Sequence, residues 1–298
     1  MTAPTWLQAL ILGLVQGLTE FIPVSSSAHL VLVPAYLGWE RPGLAFDVAL
    51  HVGTLLALLV YYRRDLSAMA SAAVSRDPSP HREVYRRLLG LLALASLPVA
   101  VAGLTFRSAI EVAFESPRLA SALLFGTATL LLAGEWLRRR RTNRVRVSPC
   151  RSEALRRQEG LDLGADPDDP TGTDLRDLRA RQALLVGFGQ ALALLPGLSR
   201  SGTTITAGMA AGLTRPAATR FAFLLALPAI SGATLVSLRD MGDLGAFTAM
   251  DLAIGMMAAA VSGYVAIWSL VRLVARAGLQ RFVIYLVLLG AVGLVYFD

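Results

Sequence analysis

Lysine is absent. All 28 basic residues of the 298-residue chain are arginine, which excludes Schiff-base chemistry and a P-loop lysine. Cysteine is almost absent: Cys150 stands alone in a polar stretch, so neither a disulfide framework nor a cysteine-rich metal site is available. Charge is scarce, at 16% of residues, whereas 55% are hydrophobic and the mean hydropathy is +0.57. Apolar runs in this number exceed what the core of a water-soluble domain holds, and they mark a membrane protein. No basic start precedes "TWLQALILGLVQG", so the first segment is expected to stay in the working protein. His-Glu-x-x-His, Gly-x-Ser-x-Gly and Walker motifs are also missing. The net charge of +7 arises from arginines clustered beside apolar segments, the positive-inside pattern, and no nucleic-acid partner is expected.

A membrane-spanning helix needs roughly 20 apolar residues. Six segments qualify: 45–62, 88–106, 119–137, 217–238, 250–271 and 282–297. Regions 5–37 and 183–213 each hold two short apolar pieces separated by a proline and serines, the pattern of a re-entrant hairpin. The expected fold is therefore all-α and polytopic, with six full transmembrane helices and two re-entrant helical hairpins. Arginines crowd segments 63–87 and 138–182 and recur at Arg272, Arg276 and Arg281, which places these three segments on the cytoplasmic side. By the same tracing, the first hairpin enters from outside and the second from the cytoplasm. Segment 138–182, with "LGADPDDPTGTD", reads as a flexible linker between two halves.

The two broken regions align without gaps at an offset of 174 residues. Gly13 meets Gly187, Gln16 meets Gln190, Ser25 meets Ser199 and Ser27 meets Ser201. Each hairpin is followed by three spans. The chain thus reads as one membrane domain, 1–298, made of a first repeat 1–137, the basic linker 138–182 and a second repeat 183–298. Inverted repeats with broken helices place their polar site where the two breaks meet.

Ionisable groups at that depth point to function. They are Glu20, His29 and Arg200, with Asp47 and His51 behind them in a supporting role. Gln16 and Glu20 share a helix face. Pro23 ends that half-helix, and Ser25 or Ser26 can cap the next. Pro196 and Gly197 break the second region, Ser199 caps, Arg200 projects, and Ser201, Thr203 and Thr204 add hydroxyls. Helix N-termini bind phosphate, and arginine offers it a planar fork. Each feature has a plainer reading: the serines as caps, Glu20 as a structural partner of Arg200, His29 as a satisfied interior histidine. Their coincidence favours phosphoryl chemistry, because charge at the midplane costs several kcal/mol. Trp6, Trp39, Trp136 and Trp268 read as interface anchors, and Gly13–Gly17 as a close-packing face.

"GLVQGLTEFIPVSSSAHL" and "LPGLSRSGTTITAGM" resemble the two signature regions of the bacterial undecaprenyl-diphosphate phosphatases of the bacitracin-resistance type, and the resemblance covers nearly the whole chain. It implies a plasma-membrane hydrolase. Such an enzyme converts undecaprenyl diphosphate to the monophosphate and inorganic phosphate, recycles the carrier lipid for peptidoglycan and confers bacitracin resistance. A divalent cation, Mg²⁺ or Ca²⁺, supports the activity. The family's Glu/Gln-x-x-x-Glu motif falls on Gln16 and Glu20, with Glu20 as the candidate metal ligand. Its serine-rich segment and histidine fall on Ser25, Ser26 and His29, with Ser27 where the family has threonine. Its second motif falls on Pro196–Gly202, with Ser199 and Arg200 on the phosphate, and Ser201 and Thr204 as further substrate-binding candidates. Ala28 stands where the family usually has glycine, so the backbone there is expected to differ. Glu20, His29, Arg200 and Ser26 are the catalytic candidates; His29, Ser26 and water remain open as nucleophile. The active site is expected to open to the outer face. Membrane lipids and a second copy of the chain are candidate partners. A polyprenyl-phosphate transporter of the same architecture is the alternative reading.

Overall fold

In a bilayer the backbone must satisfy its own hydrogen bonds, and a helix does so within one segment. The computed structural model describes residues 5–40, 44–75, 79–144, 169, 172–237, 247–276 and 278–298. Among them are twelve helices and no strand beyond one bridge between Thr173 and Leu213. In chain order the helices are α1 Thr5–Phe21, α2 Ser26–Leu37, α3 Leu44–Tyr61, α4 Arg63–Val74, α5 Pro80–Thr105 and α6 Arg107–Phe114. There follow α7 Pro117–Arg144, α8 Ala180–Leu192, α9 Arg200–Ala210, α10 Arg215–Ser237, α11 Ala249–Arg276 and α12 Arg281–Tyr296.

The protein is a multi-pass helical membrane protein. Four helices are long and apolar enough to cross a membrane: α5, α7, α10 and α11. A fifth span exists if α3 and α4, bent by 76°, form one. The expected six is not reached by this measure. The segment expected at 282–297 is α12, a 16-residue helix about 24 Å long, short of the ~30 Å hydrocarbon core. The segments expected as hairpins are the pairs α1–α2 and α8–α9, of 17, 12, 13 and 11 residues.

Small residues set the closest packing. A methyl group added at Gly13 would lie 2.9 Å from the Cβ of Ala258, and one at Gly17 would meet Ser262, Ala259 and Gly263. The Gly13–Gly17 face thus seats α1 against α11, as close-packed membrane helices do. Gly187 on α8 meets the backbone of Ala95 on α5 in the same manner. Helix contacts pair α1 with α11 and α8 with α5, α3 with α11 and α10 with α5, α1 with α2 and α8 with α9.

The basic segments gather at one end. Glu135 of α7, buried, is bonded to Arg138 at 3.3 Å, to Arg215 of α10 at 3.0 Å and to the Leu279 backbone N–H at 3.0 Å. Arg87 donates to the carbonyls of Arg176 and Leu178, and Arg139 to Gln280 at 2.7 Å. Arg140 stacks on Trp136 and Arg272 on Trp268, each at 3.7 Å. Trp6, Trp136 and Trp268 stand about half exposed, as interface anchors do. Residues 138–144 of the expected linker continue α7 as helix, and 172–179 dock through Thr173 on the segment after α9. Most of the remainder lies outside the described residues.

Gly17→Val should lower the thermal unfolding midpoint of the detergent-purified protein by several degrees. Gly90→Ala, with nothing within 4 Å of the added methyl, should leave it unchanged or raise it slightly.

Candidate active site

Two chain breaks build the site, and both end in serine caps. Helix α1 stops at Phe21, two residues before Pro23, and α2 restarts at Ser26. The Ser25 hydroxyl accepts from the Ala28 N–H at 3.3 Å. In the second break, Ser199 accepts from the Gly202 N–H at 3.1 Å, and α9 restarts at Arg200. A serine cap supplies an acceptor that the first turn of a helix lacks. Ser25 pairs with Ser27, and Ser199 with Ser201, each with oxygens 3.1 Å apart.

The backbone departs from its expected form at one point. The strained residue is Ser25, with φ 68°, the one non-glycine residue with positive φ among those described. Ala28, where loss of the family's glycine was expected to alter the backbone, lies inside α2 and needs no positive φ. Alanine is therefore accommodated at 28, and the left-handed turn sits three residues earlier. Gly197 has φ +100°, and a Cβ there would strike Ala120 and Leu123 of α7.

Cross-bonds tie the breaks together. The Gly197 N–H donates to Ser27 at 3.4 Å, and the Ser201 hydroxyl to the Ile22 carbonyl at 3.2 Å. Thr127 of α7 braces the second break, donating to the Gly197 carbonyl at 2.8 Å and accepting from the Ser199 N–H at 3.0 Å.

Glu20 is the hub. It is 6% exposed. Its Oε1 is paired with the Nη2 of Arg200, and its Oε2 accepts from the Ser26 hydroxyl and from the Gln16 amide, the latter at 3.0 Å. The His51 Nε2 lies 4.0 Å from the same oxygen, and its Nδ1 is 2.7 Å from the Asp47 carbonyl. Arg200 reaches the Ala226 carbonyl of α10 as well, at 3.4 Å. Gln16, Glu20, Ser26, His51 and Arg200 thus form one cluster, linked through Ser25, Ser27, Ser199 and Ser201.

His29 sits one turn along α2. Its Nδ1 is 2.7 Å from the Ser25 carbonyl and its Nε2 is 2.6 Å from the Tyr285 hydroxyl on α12. A carbonyl only accepts, so Nδ1 carries the proton and Nε2 accepts from the phenol. Thr204 is fully buried and turns its hydroxyl onto the Arg200 carbonyl of its own helix at 2.6 Å. Tyr285 and Thr127 had no sequence signal. A tyrosine in "FVIYLVLLG" reads as an interface anchor, and Thr127 is one hydroxyl within a span.

A hard cation takes carboxylate, amide and phosphate oxygens. Among the described residues no three His, Cys, Asp or Glu side chains converge. Glu20 and the buried, unpartnered Gln16 Oε1 nevertheless supply two neighbouring hard donors. They fit an ion that draws its other ligands from phosphate and water.

The chain is a multi-pass helical membrane protein in which a carboxylate–arginine pair stands beside two serine-capped helix starts. Within that class the chain belongs to the bacitracin resistance protein family, BacA, whose model matches residues 9–292. It is 40% identical over 292 residues to the undecaprenyl-diphosphatase of Geobacter sulfurreducens, covering 97% of both chains. It is 41% identical over 288 residues to that of Gemmatimonas aurantiaca, covering 96% of this chain and 95% of the relative. With that of Methanobrevibacter smithii the identity is 38% over 296 residues, with the same two coverages.

Gly197→Ala should unfold the second break, through both its positive φ and its clash with α7. The expected result is a loss of thermal stability clearly larger than that of Ser199→Ala, which removes one cap worth about 0.5–2 kcal/mol.

Proposed function

We propose that the protein is an undecaprenyl-diphosphatase that hydrolyses the lipid diphosphate to undecaprenyl phosphate and inorganic phosphate. It thereby recycles the carrier lipid for peptidoglycan and confers bacitracin resistance. The observation that carries this reading is the Glu20 carboxylate, which holds a serine hydroxyl on one oxygen and an arginine on the other, beside two helix starts. The relatives bear the name of a hydrolase, which favours the enzyme over the carrier.

The diphosphate binds at the first turns of α2 and α9, where free N–H groups and the helix dipole favour an anion. Arg200 leaves Glu20 for the phosphate oxygens and offsets charge that develops in transfer. Ser199 and Ser201 hold the second helix start, and Ser25 and Ser27 the first. Thr204 anchors the Arg200 backbone. In the first step the Ser26 Oγ attacks the terminal phosphorus and passes its proton to Glu20. The bond from that phosphorus to the bridging oxygen breaks, and undecaprenyl phosphate leaves. In the second step water attacks the phosphoserine. His29 Nε2 takes a proton from the water, the bond from phosphorus to the Ser26 Oγ breaks, and Ser26 recovers its own proton from Glu20; inorganic phosphate leaves and His29 gives its proton to solvent. Glu20 and Gln16 Oε1 would hold the divalent cation, Mg²⁺ or Ca²⁺, which when bound neutralises phosphate charge.

The architecture belongs to the same proposal: an inverted-topology repeat, 1–137 and 183–298, with six spans, two hairpins and a site open to the outer face. Its support is the offset of 174 residues, which holds for the caps Ser25 and Ser199 and the helix starts Ser26 and Arg200. The exchanged helix pairings and the basic segments gathered at one end agree with it.

Purified wild type should release phosphate from undecaprenyl diphosphate with Mg²⁺ or Ca²⁺ and lose activity in EDTA. Glu20→Ala, Ser26→Ala, His29→Ala and Arg200→Ala should each lose at least 100-fold in kcat on the order expected for such groups. Folded wild type that releases no phosphate with either metal would return the carrier reading to first place. Orientation has a separate check in Cys150, the one cysteine. A membrane-impermeant maleimide should miss it in intact cells and label it in inverted vesicles.

A further inference from the structure

Among the described residues, Tyr285 is the side chain of α12 that hydrogen-bonds to the polar centre, at His29. Helix α12 lies against α7, with Gly290 and Gly293 so near Ser121 and Phe125 that a Cβ at 290 would stand 2.8 Å from the Phe125 ring. This seat fixes the helix, and with it the position of Tyr285. Ile284 and Leu288 on either side are 70% and 61% exposed, and Tyr285 itself is 46% exposed, whereas His29 is 7% exposed. The phenol therefore stands between the buried imidazole and the lipid-facing surface.

The contact is specific in two ways. The hydroxyl lies 2.6 Å from His29 Nε2. The two rings are nearly parallel, 8° apart with centroids 5.8 Å from each other, so the phenol meets the imidazole at its edge, where the in-plane Nε2 lone pair lies. With Nδ1 held by the Ser25 carbonyl at 2.7 Å, the imidazole is fixed at both nitrogens. Packing alone would ask only for an apolar side chain at 285, since a helix surface facing lipid gains nothing from a buried hydroxyl. A phenol that spends its one proton on a histidine of the site serves that histidine.

We propose that Tyr285 is a positioning residue that acts through His29. It holds the imidazole plane and keeps the Nε2 lone pair directed toward the side from which the lipid diphosphate arrives. During the second step of the reaction proposed above, on which this inference rests, water takes the place of the phenol on that lone pair. The tyrosine touches neither the reacting phosphorus nor the attacking oxygen.

Tyr285→Phe keeps the ring and the apolar contact and removes the hydroxyl. It should lower kcat for undecaprenyl diphosphate about ten-fold and leave KM within two-fold. In the His29→Gln background the same change should have no further effect, because residues acting as a unit are not additive. The chain has three histidines, so ¹⁵N-histidine NMR of the substrate-free protein reads the contact directly. His29 should be the neutral Nδ1–H tautomer, with an Nε2 signal that moves toward the free-acceptor position in Tyr285→Phe. An unmoved Nε2 signal with kcat within two-fold of wild type would overturn the proposal. So would a loss of kcat matched by a fall in melting temperature with the signal unmoved, which would assign Tyr285 to packing. If wild type releases no phosphate, the diphosphatase reading fails, and the spectra still decide whether Tyr285 holds His29.

Discussion

The ion pair between Glu20 and Arg200 joins residues 180 positions apart, and the rest of the site is arranged around it. Two charges taken out of water cost several kcal/mol each unless every remaining lone pair and proton finds a partner. Here the partners are present. Gln16 and Ser26 complete the carboxylate, and the Ala226 carbonyl takes part of the guanidinium. Because the carboxylate comes from α1 and the guanidinium from α9, neither half of the chain can satisfy its own charge.

Closing the halves requires two interrupted helices, and interruption leaves backbone groups unbonded. The protein answers with short polar side chains and one brace. Ser25 and Ser199 cap the restarting helices, Ser27 and Ser201 cross to the opposite break, and Thr127 serves both the carbonyl of Gly197 and the N–H of Ser199. A left-handed serine at position 25 costs on the order of 1–3 kcal/mol, and its carbonyl holds His29 in one tautomer. Strain, capping and the orientation of the imidazole are thus one local arrangement. At the other end of the bundle the buried Glu135 gathers Arg138, Arg215 and the turn at Leu279. It ties the end of α7 to the start of α10.

Much of this was legible in the sequence, because the membrane restricts what a chain can do. Apolar runs must be helices, arginines sort to one side, and a half-length run broken by proline and serine cannot cross alone. The capping roles of Ser25 and Ser199 and the close-packing role of Gly13 and Gly17 follow from residue type and spacing. The spans were less legible. Periodicity does not show that α3 and α4 bend by 76° or that α12 has only 16 residues, since helix ends are set by neighbouring elements. The glycine-to-alanine difference at 28 was misleading, because the positive φ belongs to Ser25.

The sequence by itself determined the chemistry on offer: one carboxylate, one imidazole, one guanidinium and a set of hydroxyls at two breaks in an apolar chain. These follow from composition and local spacing, which act over one or two helical turns. Only the tertiary structure decided who meets whom. It put Ser26 and Arg200 on opposite oxygens of Glu20, set His51 beside them, turned Thr204 onto its own helix and brought Tyr285 to His29 across 256 positions of chain. Such partnerships are fixed by how whole helices pack, and α12 reaches His29 because its glycines let it lie close on α7, a distance relation that no short stretch of sequence contains.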